Sequence, residues 1–211
     1  MELVITVVKG EEELFARTAH LFASATEVAC AAADLRTFAV SQRPPVTAAD
    51  HRGKRVRKIY RPPVLLEPVA ATHLEQLVGM GADIRISADE INETIILDRR
   101  VVILAGDLVA GTRSYSVLTA EETVQGVVSL FEAAWRGATE LAVYDARVAE
   151  IRVLAPRILD MLASGCKDET AARSLGLGLR TYRRRVAELM TALGATSRFQ
   201  AGVRAGELGL L

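Results

Sequence analysis

The feature that most constrains the fold is an alternation of β-branched and amphipathic segments through the first 140 residues. Short segments, several of them alternating and rich in β-branched residues, predict strands at 27–33, 55–61, 82–87, 93–98 and 100–106. Apolar residues at helical spacing predict helices at 10–26, at 65–81 and from about Thr119. Because strands alternate with helices, we expect residues 1–140 to form an α/β domain.

Two of these predicted helices carry specific signals. In the predicted helix that ends at Gly81, one face is expected to be buried, and the glycine closes the helix. The residues of this face are Leu66, Val69, Ala70, Leu74, Leu77 and Val78. The predicted helix that starts near Thr119 begins with the capping-box pattern T-x-x-E, formed by Thr119 and Glu122. Its expected buried face holds Val124, Val127, Val128, Phe131 and Trp135.

Charge is divided unevenly along a chain whose formal net charge is zero. Residues 1–145 hold 15 basic and 20 acidic side chains, whereas residues 146–211 hold 11 and 6. This division predicts two modules, of which the C-terminal one meets a polyanion. We place the α/β domain at 1–140, a helical linker at 141–153 and an all-helical domain at 154–211.

The C-terminal residues show helical signals in close succession. A short helix is expected to begin at Pro156 and to end before Gly165, and a second one ends at Gly176. A third helix is expected at 179–193, with a buried stripe formed by Tyr182, Val186, Leu189 and Leu193. The arginines between these residues are then expected to face outward; they are Arg180, Arg183, Arg184 and Arg185.

The stretch GCKDETAARSLGLGLRTYRRRVAELMTALGATSRFQA resembles, without a gap, the LuxR/FixJ (GerE)-type helix-turn-helix. Residues at matching positions are Gly165, Ala172, Leu175, Thr181, Val186, Leu193, Gly194 and Arg198. The chain departs from the family pattern where Gly178 replaces the serine N-cap, Tyr182 replaces valine, Arg185 replaces histidine, and IRVLA (151–155) replaces L-T-x-R-E. The resemblance implies an all-α four-helix domain that binds double-stranded DNA in the major groove.

The resemblance also implies roles for single residues. It places Arg183, Arg184 and Ala187 on base edges, and Thr181, Arg185 and Arg198 on phosphates, with Arg180 completing the DNA-binding set. A lone arginine cluster more often marks a solvated helix face, and the ungapped motif favours DNA instead. The family usually binds as a homodimer through the last helix, in which Phe199, Val203, Leu208 and Leu210 are either core or interface residues.

Residues 10–138 resemble the phospholipase D-like sensor domain of TrmB-type regulators, in segment order rather than through one signature. Phospholipase D enzymes carry H-x-K-x-x-x-x-D, but here Ile91 and Glu93 replace the histidine and the lysine, and only Asp98 remains. Without the nucleophile we expect no enzymatic activity. A crevice at the sheet edge is expected to bind a small-molecule effector, and a protein partner is the alternative. Candidate lining residues are Arg61, Glu90, Asn92, Glu93 and Arg113.

A receiver-like N-terminal domain, as in response regulators, is a further alternative suggested by the chain length. The absence of a secretory signal and of a membrane span leads us to expect a cytoplasmic protein. Cys30 and Cys166 lie far apart and only three histidines are present, so we expect neither a metal site nor a cofactor.

Overall fold

The computed structural model describes residues 5–35, 53–89 and 91–211. By its internal contacts the chain divides into two compact units. The first comprises Met1–Arg61 and His73–Glu140, and the second comprises Pro62–Thr72 and Leu141–Leu211. The domain and linker boundaries that the sequence suggests remain predictions.

Within the described residues of the first unit, eight strands form one mixed sheet in the order β1-β7-β6-β5-β2-β3-β4-β8. The strands are β1 (Ile5–Lys9), β2 (Glu27–Ala32), β3 (Arg55–Tyr60), β4 (Asp83–Ile86), β5 (Thr94–Leu97), β6 (Val101–Val109), β7 (Thr112–Leu118) and β8 (Thr139–Glu140). Strands β2, β3 and β4 are parallel, and every other pairing is antiparallel. A receiver domain has a parallel doubly wound sheet, so the receiver alternative is wrong.

Helices α1 (Glu11–Ser24), α2 (Pro68–Gly79) and α3 (Glu121–Gly137) accompany these strands. Helix α3 contributes Val124, Val128, Phe131 and Trp135 to the apolar core that also contains Ile96 of the sheet. The predicted face of α3 is therefore confirmed. The predicted capping box is wrong, because the helix begins one residue later than a Thr119 N-cap requires, with Ala120 at the N-cap position and no side-chain cap.

The predicted buried face of α2 is correct in its centre and wrong at its margins. Leu74 and Leu77 are buried, together with Leu66 and Ala70, whereas Val69 and Val78 are exposed. A helical stripe about 100° wide does not include these two valines, which lie on its flanks. After the helix, Gly81 adopts φ 96, and the amide of Ala82 donates to the Leu77 carbonyl at 3.0 Å, which closes the end.

Strands β1, β7 and β8 were not predicted. Strand β7 pairs with β6 through a two-residue hairpin in which Ala110 and Gly111 have φ 50 and 78. Positive φ at both central positions is the geometry of a type I′ turn, whose usual sequence signal is Asn-Gly. Because alanine occupies the first position of the turn, the sequence lacks the Asn-Gly signal that would predict this hairpin.

The second unit begins with a 3-10 helix (Pro62–Leu65) and continues with α4 (Leu141–Ala163), α5 (Asp168–Ser174), α6 (Leu179–Ala192) and α7 (Arg198–Glu207). The prediction that a helix begins at Pro156 is wrong, because α4 runs through this residue. Proline removes one amide donor inside the helix. Burial of Ile151, Ala155, Ile158 and Leu159 around it holds the helix together. No helix in the described part of the chain is both long enough and apolar enough to cross a membrane.

The predicted stripe on α6 is confirmed, since Tyr182, Val186, Leu189 and Leu193 are all buried. Helices α5 and α6 are joined by a short turn in which Gly176 has φ 69. The amide of Leu177 donates to the Ala172 carbonyl at 2.8 Å, so α5 stops abruptly and the chain changes direction. A tight, glycine-bearing turn therefore joins α5 to α6.

Candidate nucleic-acid interface

Helix α6 presents a basic face opposite its buried stripe. Arg180, Arg183, Arg184 and Ala187 are exposed on this face, and Thr181 is partly buried. Gly178 occupies the N-cap position with φ −69 and supplies no side-chain hydrogen bond to the first turn. The amides of that first turn therefore have no capping hydroxyl, and Arg180 lies within the same turn.

Arg185 does not face outward as predicted. Its side chain is only 16% exposed and forms ion pairs with Glu188 at 2.8 Å and with Glu150 of α4. The hydrogen bonds that Arg185 donates to Glu188 and to Glu150 raise the pKa of its guanidinium above the ordinary value and outweigh the opposing effect of burial. Arg185 lies three residues after Tyr182 and four before Leu189, so it borders the buried stripe.

Asp168, the first residue of α5, joins Arg183 and Arg198. Its Oδ2 accepts from Arg183 Nε at 2.9 Å and from Arg198 Nη2 at 3.1 Å, and its Oδ1 accepts from Arg198 Nη1 at 2.6 Å. The hydrogen bonds from Arg198 and then from Arg183 lower the pKa of Asp168 to about 2. The carboxylate is therefore ionised at any pH at which DNA would be bound.

Acidic side chains within the basic face are the residues that sequence reasoning missed. Glu188 lies 3.6 Å from Arg184 Nε and also pairs with Arg185. Its spacing of four and three residues from these arginines is a signal that the sequence contains. Asp168 gives no comparable signal, because its partners lie 15 and 30 residues away along the chain.

A groove of about 510 Å³ lies along the exposed side of α6 and the turn that follows it. Its lining residues are Asp168, Arg183, Val186, Ala187, Met190, Thr191, Ala195, Thr196 and Arg198. Three of the residues that the LuxR/FixJ resemblance places on DNA are thus brought together around one concave surface. Arg184 and Arg185 lie outside this groove.

The apolar residues at the end of the chain, which the sequence leaves as either core or interface residues, differ in their burial. Ser197 caps the helix, since its hydroxyl accepts from the Gln200 amide at 3.1 Å. Ala201 and Ala205 are buried, whereas Phe199 is 83% exposed and Val203 is exposed beside it. Phe199 and Val203 are therefore not core residues of this chain, while Leu208 and Leu210 are partly buried.

In the first unit, the structure brings together two of the predicted effector residues. Glu93 accepts from Arg113 Nη1 at 2.6 Å and from the Ala33 amide at 3.1 Å. Arg61 follows the carboxyl end of β3, and Asn92 is exposed next to Glu93. Glu90, the fifth predicted residue, lies outside the described residues.

The positions that correspond to the phospholipase D motif are used structurally. Ile91 packs against the apolar core. Asp98 Oδ1 accepts from the amides of Thr26 and Glu27 at 2.9 and 2.8 Å. These hydrogen bonds outweigh the opposing effect of burial and lower the pKa of Asp98. Glu93 and Asp98 flank strand β5, about 16 Å apart at roughly 3.3 Å per residue.

The described residues contain no group of three or more histidine, cysteine, aspartate or glutamate side chains arranged for a metal ion. Cys30 is buried, which raises the pKa of its thiol to about 11. Cys30 and Cys166 are both free thiols.

No protein-family model matches the chain. Over 161 residues the chain is 32% identical to the "Bialaphos biosynthetic pathway regulatory protein" of Streptomyces hygroscopicus, an alignment that covers 76% of this chain. The chain spans 63% of the length of this relative.

The solved structures that resemble the chain include the following two. TrmBL2, described as an archaeal chromatin protein with a novel mode of DNA binding, is 17% identical with a TM-score of 0.49, over 66% of this chain and 54% of that one. Nuc of Salmonella typhimurium, a phospholipase D family member, is 12% identical with a TM-score of 0.49, over 64% of this chain and 97% of that one. At TM-scores below 0.5 neither likeness assigns a fold or a function.

Proposed function

We propose that the chain is a transcriptional regulator of the LuxR/FixJ type, which binds double-stranded DNA site-specifically through α6. The observation that carries the proposal is the pair of helices α5 and α6, joined at Gly176, with an exposed basic face on the second helix. The 32% sequence identity between this chain and a regulatory protein, over 161 residues, supports the same proposal. Residues 146–211, with 11 basic and 6 acidic side chains, carry the positive charge that attraction to phosphates requires.

Within α6, Arg183 and Arg184 are the proposed base-reading residues, and Ala187 offers an apolar contact. A guanidinium pairs with guanine through two nitrogens and discriminates by about 1–3 kcal/mol per contact. Arg180, Thr181 and Arg185 are the proposed phosphate contacts. Arg185 first exchanges Glu150 or Glu188 for a phosphate, which makes its contribution smaller than that of a free arginine.

We propose that the regulator acts as a homodimer on a two-fold site. Phe199 and Val203 lie one helical turn apart on α7 and are exposed. Such a pair is suited to the same pair of a second copy across a two-fold axis. Two copies would read two half-sites, so the loss of one base contact counts twice.

The first unit is the proposed control unit, without enzymatic activity and within the cytoplasm. A small-molecule effector at the carboxyl edge of the sheet would meet Arg61, Asn92, Glu93 and Arg113, with Glu90 as the remaining candidate. The Glu93 to Arg113 ion pair at 2.6 Å supplies both signs of charge there. A protein partner on this unit is the second candidate for control.

Selection of bound duplexes from random DNA by the full chain tests DNA binding directly. We expect one recurring two-fold motif, and Arg184→Ala to weaken binding to it roughly 30-fold or more, because two base contacts are lost. Arg136→Ala, which removes an exposed arginine from α3, is the matched control and leaves binding unchanged. If no sequence is enriched, or if Arg184→Ala keeps its affinity at physiological salt, the proposal is wrong.

Control by an effector is tested with thermal unfolding of the full chain in the presence of single metabolites. A ligand at a hundred times its dissociation constant stabilises the folded protein by about 2.7 kcal/mol. We expect Arg113→Met to remove this stabilisation, since it breaks the pair with Glu93. If no metabolite stabilises the chain and a protein copurifies with it, control belongs to the partner instead.

A further inference from the structure

Asp168 lies at the meeting point of three helices in the second unit. It begins α5, and its carboxylate binds Arg183 of α6 and Arg198 of α7. The Asp168 side chain is only 14% exposed, although both arginines are about half exposed. One carboxylate thus holds two side chains that would otherwise move freely in solvent.

The two arginines use different nitrogens toward this carboxylate. Arg198 donates from Nη1 at 2.6 Å and from Nη2 at 3.1 Å, so both terminal nitrogens of its fork are occupied. Arg183 donates from Nε at 2.9 Å. Its Nη2 lies 4.0 Å from Glu169, which is beyond hydrogen-bond distance. Neither terminal nitrogen of Arg183 is therefore engaged by Asp168, whereas both terminal nitrogens of Arg198 donate to it. The pair of terminal nitrogens that can bind a guanine stays directed away from the carboxylate in Arg183.

We propose that Asp168 is a positioning residue for base readout, which orients Arg183 toward the DNA while Arg198 keeps the carboxylate in place. This inference rests on the proposed function, and it gives Arg198 a role other than the phosphate contact that the resemblance implies. An arginine that is already oriented loses less conformational freedom when it binds. Arg183 therefore reads its base pair more selectively than an unsupported arginine would.

A purely electrostatic role for Asp168 predicts the opposite effect. A carboxylate beside a phosphate backbone repels it, so removal of the charge would strengthen binding to every DNA sequence equally. Positioning instead predicts that removal of the carboxylate lowers the selectivity at one base pair of each half-site. The two roles are separated by measuring selectivity and not affinity alone.

The experiment compares the full chain with its Asp168→Asn variant on the selected operator and on all its single-base-pair variants. We expect Asp168→Asn to lower discrimination about tenfold at the base pair that Arg183→Ala also affects. Discrimination at the base pair assigned by Arg184→Ala stays unchanged. Glu207→Gln is the matched control, since it removes the same charge from an exposed residue at the end of α7.

Two further variants keep the test decisive. Arg198→Met releases the carboxylate and is expected to lower selectivity at the same base pair, whereas loss of a phosphate contact would weaken all sequences alike and reduce the salt dependence. Asp168→Glu keeps the charge and is expected to restore part of the selectivity. If Asp168→Asn does not fold, Arg198→Met and Asp168→Glu give the result.

Retention of full selectivity by Asp168→Asn, or an equal gain in affinity for every sequence, would overturn the positioning role and leave the proposed function intact. A wild-type chain that selects no sequence overturns the proposed function, and the positioning role with it.

Discussion

Arg57 is a cation in the middle of the sheet, and its removal is expected to destabilise the first unit. Its side chain is 6% exposed, and its terminal nitrogens bind Glu132 at 2.8 and 3.1 Å and Glu27 at 2.9 Å. The guanidinium also lies over the rings of Phe131 and Trp135, at 5.4 and 5.3 Å from their centroids. Arg57→Met keeps an apolar stem of similar length and removes all of these contacts.

The expected magnitude follows from what the partners retain. Removing one member of a fully buried ion pair costs about 3–5 kcal/mol, because a charge is left uncompensated. Here Glu132 is 26% exposed and keeps Arg99 at 3.1 Å, and Glu27 is 20% exposed. Since both carboxylates regain water, we expect Arg57→Met to lower the free energy of unfolding by about 2–3 kcal/mol. Glu132→Gln leaves Arg57 with Glu27 and is expected to cost about 1 kcal/mol.

The chain contains one tryptophan, Trp135, which lies beneath Arg57. Urea unfolding followed by its fluorescence therefore reports on this unit, even if the second unit unfolds separately. Arg55→Met is the matched control, because the Arg55 side chain is 68% exposed and its guanidinium lies 3.9 Å from Glu27, beyond hydrogen-bond distance. We expect it to change stability by less than about 0.5 kcal/mol. An Arg57→Met protein as stable as this control would refute the reasoning and show that apolar packing replaces the ion pairs at no cost.

Three further predictions concern single positions. Pro156→Ala should raise the free energy of unfolding by about 1–2 kcal/mol in urea titrations followed by circular dichroism, because it restores an amide donor inside α4; lower stability would contradict this. Ala110→Asn should raise the midpoint of Trp135 fluorescence by the equivalent of about 0.5 kcal/mol, since asparagine tolerates φ 50 better than alanine; an unchanged midpoint counts against the turn assignment. The folded pKa of Asp168, about 2, lies below the unfolded value, so its contribution of about 1 kcal/mol, after allowance for solvent screening, is present above pH 4 and is lost as pH falls toward 2. Urea unfolding followed by circular dichroism at pH 4 and pH 2 should show this loss of stability in the wild-type chain and not in Asp168→Asn. An equal loss in both proteins would exclude Asp168 as its source.

Local periodicity accounts for what the sequence predicts correctly. The stripe of α6 and the face of α3 each depend on side chains within a few turns of one helix, so spacing alone identifies Leu189 or Phe131 as buried. The hairpin at Ala110 was missed because its turn lacks the usual residues, although the backbone adopts the usual angles.

The site is harder to predict, because its contacts join distant segments. The pairing of Asp168 with Arg198 requires α5 and α7 to meet, which no local pattern reveals. The position of Arg185 was a local error, since its spacing from Tyr182 and Leu189 already places it beside the buried stripe. Its place beside that stripe, together with its ion pairs to Glu150 and Glu188, accounts for the direction in which Arg185 faces.

The second unit is assembled from two separate stretches of chain, Pro62–Thr72 and Leu141–Leu211. Arg152 of α4 donates to the carbonyl of Leu65, and Val64 and Leu65 are buried. A chimera made by fusing a foreign domain at Leu141 would inherit α4 to α7 without this short helix and its buried apolar side chains. We therefore expect a transplant limited to the last 71 residues to fold less stably than one that also supplies Pro62–Thr72 or a replacement for it.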